Sequence, residues 1–176
     1  MLKVMVAVLV MMCGPVWAQD LIVDVKIRII NDPERFVALA GDLIHGFGSA
    51  RGIDLAGVEN FVALERAAAG AAALRRLQLA DLDIDGAVTR DEVAVLVASV
   101  AATARGRLWA LHGRADGDGD GTVSAGEMLA FARIEALNGF DPMAEAQVRH
   151  VLTFDADKDG FATLDEVKAG VAALGT

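Results

Sequence analysis

Asp116–Glu127 reads D-G-D-G-D-G-T-V-S-A-G-E. Carboxylates stand at positions one, three and five of this stretch, a glycine at six, a valine at eight and a glutamate at twelve. A divalent cation of calcium's size takes about 6–8 hard oxygen ligands at about 2.3–2.6 Å, and a loop of about 12 residues is long enough to wrap them around it. Gly121 permits the sharp turn that such wrapping needs. An acidic, glycine-rich surface turn would account for the aspartates alone. It leaves unexplained a glutamate at the twelfth place together with a β-branched residue at the eighth.

The pattern recurs. Asp81–Glu92 reads D-L-D-I-D-G-A-V-T-R-D-E, and Asp155–Glu166 reads D-A-D-K-D-G-F-A-T-L-D-E. The three stretches begin at 81, 116 and 155, intervals of 35 and 39 residues. Each also carries S/T-x-x-E at its end: Thr89 with Glu92, Ser124 with Glu127, Thr163 with Glu166. That is a capping box, so each ninth position is expected to start a helix whether or not metal is bound.

Three full matches resemble the EF-hand superfamily, the calmodulin-like calcium proteins, over most of the chain. The resemblance implies an all-α fold of paired helix–loop–helix units with short β-pairing between loops. It implies three bound Ca2+ ions. Their ligands would be Asp81, Asp83, Asp85, Ala87 and Glu92 in the first loop. The second would use Asp116, Asp118, Asp120, Thr122 and Glu127, and the third Asp155, Asp157, Asp159, Phe161 and Glu166. Within each set the aspartates offer side-chain oxygens, the seventh residue its backbone carbonyl, and the glutamate two oxygens; Ser124 stands where a ligand usually acts through water. Such hands usually come in pairs about 35 residues apart, and stepping back from 81 reaches Gly46–Gly57, G-F-G-S-A-R-G-I-D-L-A-G. It keeps Ile53 at the eighth place but offers no ligand oxygen at one, three, five or twelve beyond the nearby Ser49 hydroxyl, so it reads as a vestigial fourth hand that binds no calcium. Sequential pairing predicts one unit at 33–104, with loops 46–57 and 81–92 joined through Ile53 and Val88. A second at 105–176 would join 116–127 and 155–166 through Val123 and Ala162, where cooperativity is expected.

Upstream, Met1–Ala18 has Lys3, an apolar run from Val4 to Met12, Gly14-Pro15, and a small residue at its end. That is the layout of a signal peptide cleaved after Ala18, and it predicts a secreted or periplasmic protein. The run is shorter than the roughly 20 residues a membrane span needs. Cleavage would remove Lys3 and no acid, taking the net charge from −9 to −10, and would remove Cys13, the only cysteine. No disulfide could then staple the chain, and packing or metal must do so. The charge argues against nucleic acid and anionic membrane surfaces as partners and towards cations or basic partners. Three calcium ions would bring it to about −4.

Residues 19–32 are expected to form an extended arm, because Val23, Val25, Ile27 and Ile29 alternate with Asp24, Lys26 and Arg28. A helix is predicted from Asp32-Pro33, with Phe36, Ala40, Leu43 and Phe47 on one face. Further helices are expected over 58–68 and 71–80 with a break at Gly70, over 93–104 with an interruption at Gly106, then over 107–114, 128–137 and from Leu164. His45, His112 and His150 lie in no triad or metal-ligand spacing, His112 and His150 being placed as half-exposed packing residues. No enzyme activity is expected. Only Met128 and Met143 remain beyond the leader, too few for the Met-rich groove of a promiscuous sensor. A buffer or structural calcium protein is the primary expectation. A calcium-dependent interaction module or sensor with an unknown protein partner is the alternative, the arm offering a strand edge.

Overall fold

The computed structural model describes residues 16–175. The proposed leader lies outside them up to residue 15, and its last three residues open the first helix. Eight helices are found among the described residues: α1 (Val16–Asn31), α2 (Pro33–Phe47), α3 (Leu55–Gln78), α4 (Arg90–Ala98), α5 (Ala102–Ala115), α6 (Ala125–Asn138), α7 (Pro142–His150) and α8 (Leu164–Leu174). A 3-10 turn, Val151–Phe154, follows α7, and two short strands, β1 (Val88–Thr89) and β2 (Thr122–Val123), pair antiparallel. The fold is all-α apart from this ribbon.

The caps explain where the helices start. Asp32 accepts the Arg35 N–H at 3.2 Å at the head of α2, and Asp141 accepts the Ala144 N–H at 2.8 Å at the head of α7, each followed by proline in the first turn. All three capping boxes form, at Thr89, Ser124 and Thr163. On α2, Phe36, Ala40 and Leu43 are buried and Phe47 is half-buried, as their spacing requires.

Three expectations about the helices fail, each for a physical reason. Residues 19–32 are not an extended arm but most of α1. The stretch satisfies both periods, and the helical one wins: Val25 and Ile29, four apart, are buried, while Val23 and Ile27 stay about half exposed. With no strand alongside it among the described residues, a helix is the conformation that pairs the backbone groups internally. Gly106 does not interrupt a helix either; α4 ends at Ala98 and α5 runs through Gly106. Nor does Gly70 break α3, which is continuous over 24 residues. Gly70 is buried against α6, where an added Cβ would lie 2.9 Å from the Ala132 carbonyl oxygen and 3.0 Å from the Ala136 Cβ. Its role is close helix approach rather than termination.

The unbroken α3 decides the pairing of the loops. At about 1.5 Å per residue it spans about 36 Å, which holds the loop before it away from the loop after it. Loop 81–92 therefore meets 116–127 instead: α4 and α5 turn back on each other at residues 99–101, and Val88 pairs with Val123 and Thr89 with Thr122. The outer loops are left for each other, and Ile53 bridges Ala162, with N···O distances of 3.0 and 2.8 Å. The expected partners 116–127 with 155–166 and 46–57 with 81–92 are thus corrected. The loops are nested, outer with outer and inner with inner, and 33–104 and 105–176 are not separate packing units.

Two cores follow from the nesting. The outer one gathers Val25 and Ile29 of α1, Phe36, Ala40 and Leu43 of α2, Val58 and Val62 from the first half of α3, and Val148, Val151, Phe154, Ala162, Val167 and Val171. The inner one gathers Ala73 and Leu77 from the second half of α3 with Val88, Val93, Ala115, Val123, Met128 and Phe131. α3 thus serves both. Arg149 of α7 bonds Glu59 of α3 and Glu145 in its own helix, while Arg66 reaches the same Glu145 at 2.9 Å.

Candidate metal-binding loops

Each of the three acidic loops is built by the same hydrogen bonds. The first aspartate accepts the N–H of the sixth-position glycine at 3.0 Å in every case, Gly86 to Asp81, Gly121 to Asp116 and Gly160 to Asp155. The third-position aspartate accepts from the fifth residue's N–H at 3.1 Å, in Asp83, Asp118 and Asp157. The fifth accepts from the seventh: Ala87 to Asp85, Thr122 to Asp120 and Phe161 to Asp159, at 2.8, 2.7 and 2.9 Å. These bonds curl the backbone around its own carboxylates. Gly86, Gly121 and Gly160 have φ of 88°, 93° and 89°, the left-handed region that glycine enters freely.

The glutamates fasten the two ends of each loop together. One oxygen accepts the N–H of the second residue (Leu82 2.8 Å, Gly117 2.8 Å, Ala156 3.0 Å), and the other that of the ninth (Thr89 2.8 Å, Ser124 2.8 Å, Thr163 2.9 Å). This donation holds the carboxylates ionised. The Ser124 backbone N–H, then its hydroxyl and the Gly117 N–H, bring Glu127 down to about 2, and Thr163 and Ala156 do the same for Glu166, also to about 2. Glu92 is lowered as well, chiefly by the Thr89 backbone N–H.

The carboxylates converge in three groups: Asp81, Asp83 and Asp85; Asp116, Asp118 and Glu127; Asp155, Asp157 and Glu166. In each, one oxygen per residue lies within 4.8 Å of the others. Glu92 is not in the first group and Asp120 and Asp159 are not in theirs; each is instead placed by the hydrogen bonds above. Ala87, Thr122 and Phe161, whose carbonyls complete the expected ligand sets, sit at the seventh position on the half-buried side of each loop. The donors are all oxygens, with neither imidazole nor thiolate, which is the preference of hard cations. The second oxygen of the first aspartate accepts the Asp85 N–H at 3.2 Å in one loop and the Gly119 N–H at 2.9 Å in the next. In the last loop, Asp155 Oδ1 is buried with no hydrogen-bond partner. A buried carboxylate oxygen without a donor is costly, and a cation held among Asp155, Asp157 and Glu166 would satisfy it.

Loop 46–57 keeps the frame without the ligands. Its eighth residue, Ile53, makes the bridge to Ala162, and its ninth, Asp54, caps α3 by accepting the Gly57 N–H at 2.8 Å. Its twelfth is Gly57, where an added Cβ would lie 2.6 Å from the Phe47 carbonyl oxygen, so no glutamate fits there. The Ser49 hydroxyl is occupied in its own turn, donating to the Gly52 carbonyl and accepting the Arg51 N–H.

Two contacts are not legible in the sequence. His112 is not half-exposed but buried at 3% exposure, with Nε2 3.1 Å from the Val88 carbonyl oxygen, so it ties α5 to the ribbon between the inner loops. Arg51 reaches Asp159 in the last loop with an Nη2–Oδ2 distance of 3.1 Å and lies over the Phe161 ring at 4.0 Å. Only the corrected pairing brings those residues together.

The fourth position of each loop is also left-handed, with φ of 63° at Ile84, 77° at Gly119 and 61° at Lys158. Ile84 is β-branched and 88% exposed, so nothing but the loop compels it there. Ile84→Asn is expected to stabilise the metal-free protein by about 1 kcal/mol, read as a higher denaturant midpoint. No gain would mean that the loop relaxes away from this turn.

No family model matches the chain, and no curated protein or solved structure matches it.

Proposed function

We propose that this protein binds three calcium ions in EF-hand loops at 81–92, 116–127 and 155–166, as a calcium-stabilised buffer or structural protein of a secreted or periplasmic compartment. The observation that carries this reading is the threefold recurrence of the bonds from the sixth, fifth and seventh N–H groups to the first, third and fifth aspartates, together with the unpartnered Asp155 Oδ1. Three loops that share no residue at positions two, four or seven repeat the same donor–acceptor pairs. What they have in common is the set of carboxylates, the sixth-position glycine and a hydroxyl residue at the ninth. The aspartates and the twelfth-position glutamate of each loop hold the ion, the latter with two oxygens, which favours calcium over the smaller, strictly octahedral magnesium. Cooperativity belongs to the inner pair, 81–92 with 116–127, joined by β1 and β2.

The test is a position-twelve series. Glu92→Gln, Glu127→Gln and Glu166→Gln are each expected to lower the calcium stoichiometry from three to two in calorimetric titration. A variant that still takes three ions would remove its loop from the proposal.

A calcium-dependent interaction module is the second reading. With α1 helical, the strand edge once expected there no longer supports it. A groove between α3, α4 and α5 does, lined by Leu79, Leu96, Leu108 and Leu111 with Arg76 and Arg107. Its walls include the helices that lead into both inner loops, α3 and α5, and calcium-driven movement of those helices would change its shape.

A further inference from the structure

We propose that Arg51, in the loop that lacks ligands, sets the calcium affinity of loop 155–166 by occupying one of its ligand oxygens. The inference rests on the calcium reading above and adds an internal competitor to one of its sites.

The three fifth-position aspartates differ in one respect. Each gives Oδ1 to the N–H of the seventh residue, which leaves Oδ2 for other work. Among the described residues no ion pair engages Asp85 or Asp120, whereas Asp159 Oδ2 receives the Arg51 guanidinium at 3.1 Å. Asp159 therefore carries a contact on each oxygen, one of them from a cation, before any metal arrives.

Arg51 is held in place. It sits in a tight turn in which the Ser49 N–H donates to the Gly52 carbonyl at 2.8 Å and the Gly52 N–H donates to the Ser49 carbonyl at 3.1 Å. The next residue, Ile53, is bridged to Ala162 in the facing loop. The guanidinium also lies 4.0 Å from the centre of the Phe161 ring, on the residue whose carbonyl completes the same ligand set. The hand that lost its carboxylates thus carries a fixed cation into its partner's site. Calcium must compete with it for Asp159 Oδ2 or bind with a positive charge beside it.

The pair is exposed, with side-chain exposures of 61% for Arg51 and 40% for Asp159, so its effect is moderate and screened by salt. Calcium titration of the full chain, followed by the amide NMR signals of Gly86, Gly121 and Gly160, reports the three loops separately. Arg51→Gln is expected to tighten the Gly160 site about two- to fivefold at low salt, with the other two unchanged. Arg51→Lys, which keeps the charge, is expected to recover most of the wild-type value. In the wild-type protein, raising the salt should weaken the Gly160 site less than the Gly121 site, since it also screens the competitor. If Gly160 responds to calcium but Arg51→Gln leaves its affinity unchanged or weaker, the Arg51 assignment is wrong and the calcium reading stands. If none of the three glycines responds in the wild-type protein, both are wrong.

Discussion

Saturating calcium is expected to raise the thermal midpoint of the chelated protein by roughly 15–30 °C. The metal-free loops crowd carboxylate oxygens within 4.8 Å of one another, and the surrounding N–H donors relieve only part of that repulsion. A ligand that binds the folded chain alone stabilises it by about 2.7 kcal/mol at a hundredfold excess over its dissociation constant. Three independent sites would give about 8 kcal/mol, and each kcal/mol moves the midpoint of a chain this size by about 2–4 °C. Calorimetric scans with calcium and with a chelator measure the difference. Equal midpoints would mean that the loops do not couple ion binding to folding. Magnesium in place of calcium should give a smaller rise.

Gly52→Ala is expected to cost at least about 3 kcal/mol and lower the midpoint by about 6–12 °C. Gly52 has φ of 117°, and an added Cβ would stand 2.6 Å from the Ala162 carbonyl oxygen and 2.9 Å from its carbonyl carbon. Both contacts are backbone, and Ala162 is fixed by the bridge to Ile53. The outer loops cannot separate without opening the larger core, where Ile53 and Ala162 are wholly buried. Equilibrium denaturation gives the cost. Amide exchange at Ile53 and Ala162 should rise well before exchange at Val88 and Val123, since the inner ribbon does not touch the substitution. Uniform loss across both cores, or no loss, would contradict the division into an outer and an inner pair.

The loops were legible because their chemistry is local. Asp, Gly and Glu at fixed positions dictate a turn, a capping box and a carboxylate cluster within a dozen residues, and each appears where the spacing placed it. Even in loop 46–57, the bridging residue Ile53 could be read from its register alone. What could not be read was which loop faces which. Ile53, Val88, Val123 and Ala162 are all apolar residues fit for an inter-loop bridge, so the eighth positions name the contacts without naming the partners. The decision lies in Gly70. In sequence a glycine inside an alanine-rich helix reads as a break, and a break there would have let loops 46–57 and 81–92 fold together. In the structure α6 lies against that glycine, α3 runs straight, and the pairing becomes nested. The segment 19–32 failed for a related reason. Its β-branched residues fit two periods, and the surface offered by α2, α7 and α8 selected the helical one. Arg51 was invisible for the same cause as the pairing, since its partner Asp159 lies 108 residues away.

Calorimetric titration of the metal-free protein with calcium tests the central claim most directly. The account predicts three ions per chain, those of the inner pair binding cooperatively and none binding at 46–57. A stoichiometry of zero would reduce the three clusters to acidic turns, and any value other than three would contradict the assignment of one ion to each carboxylate-bearing loop.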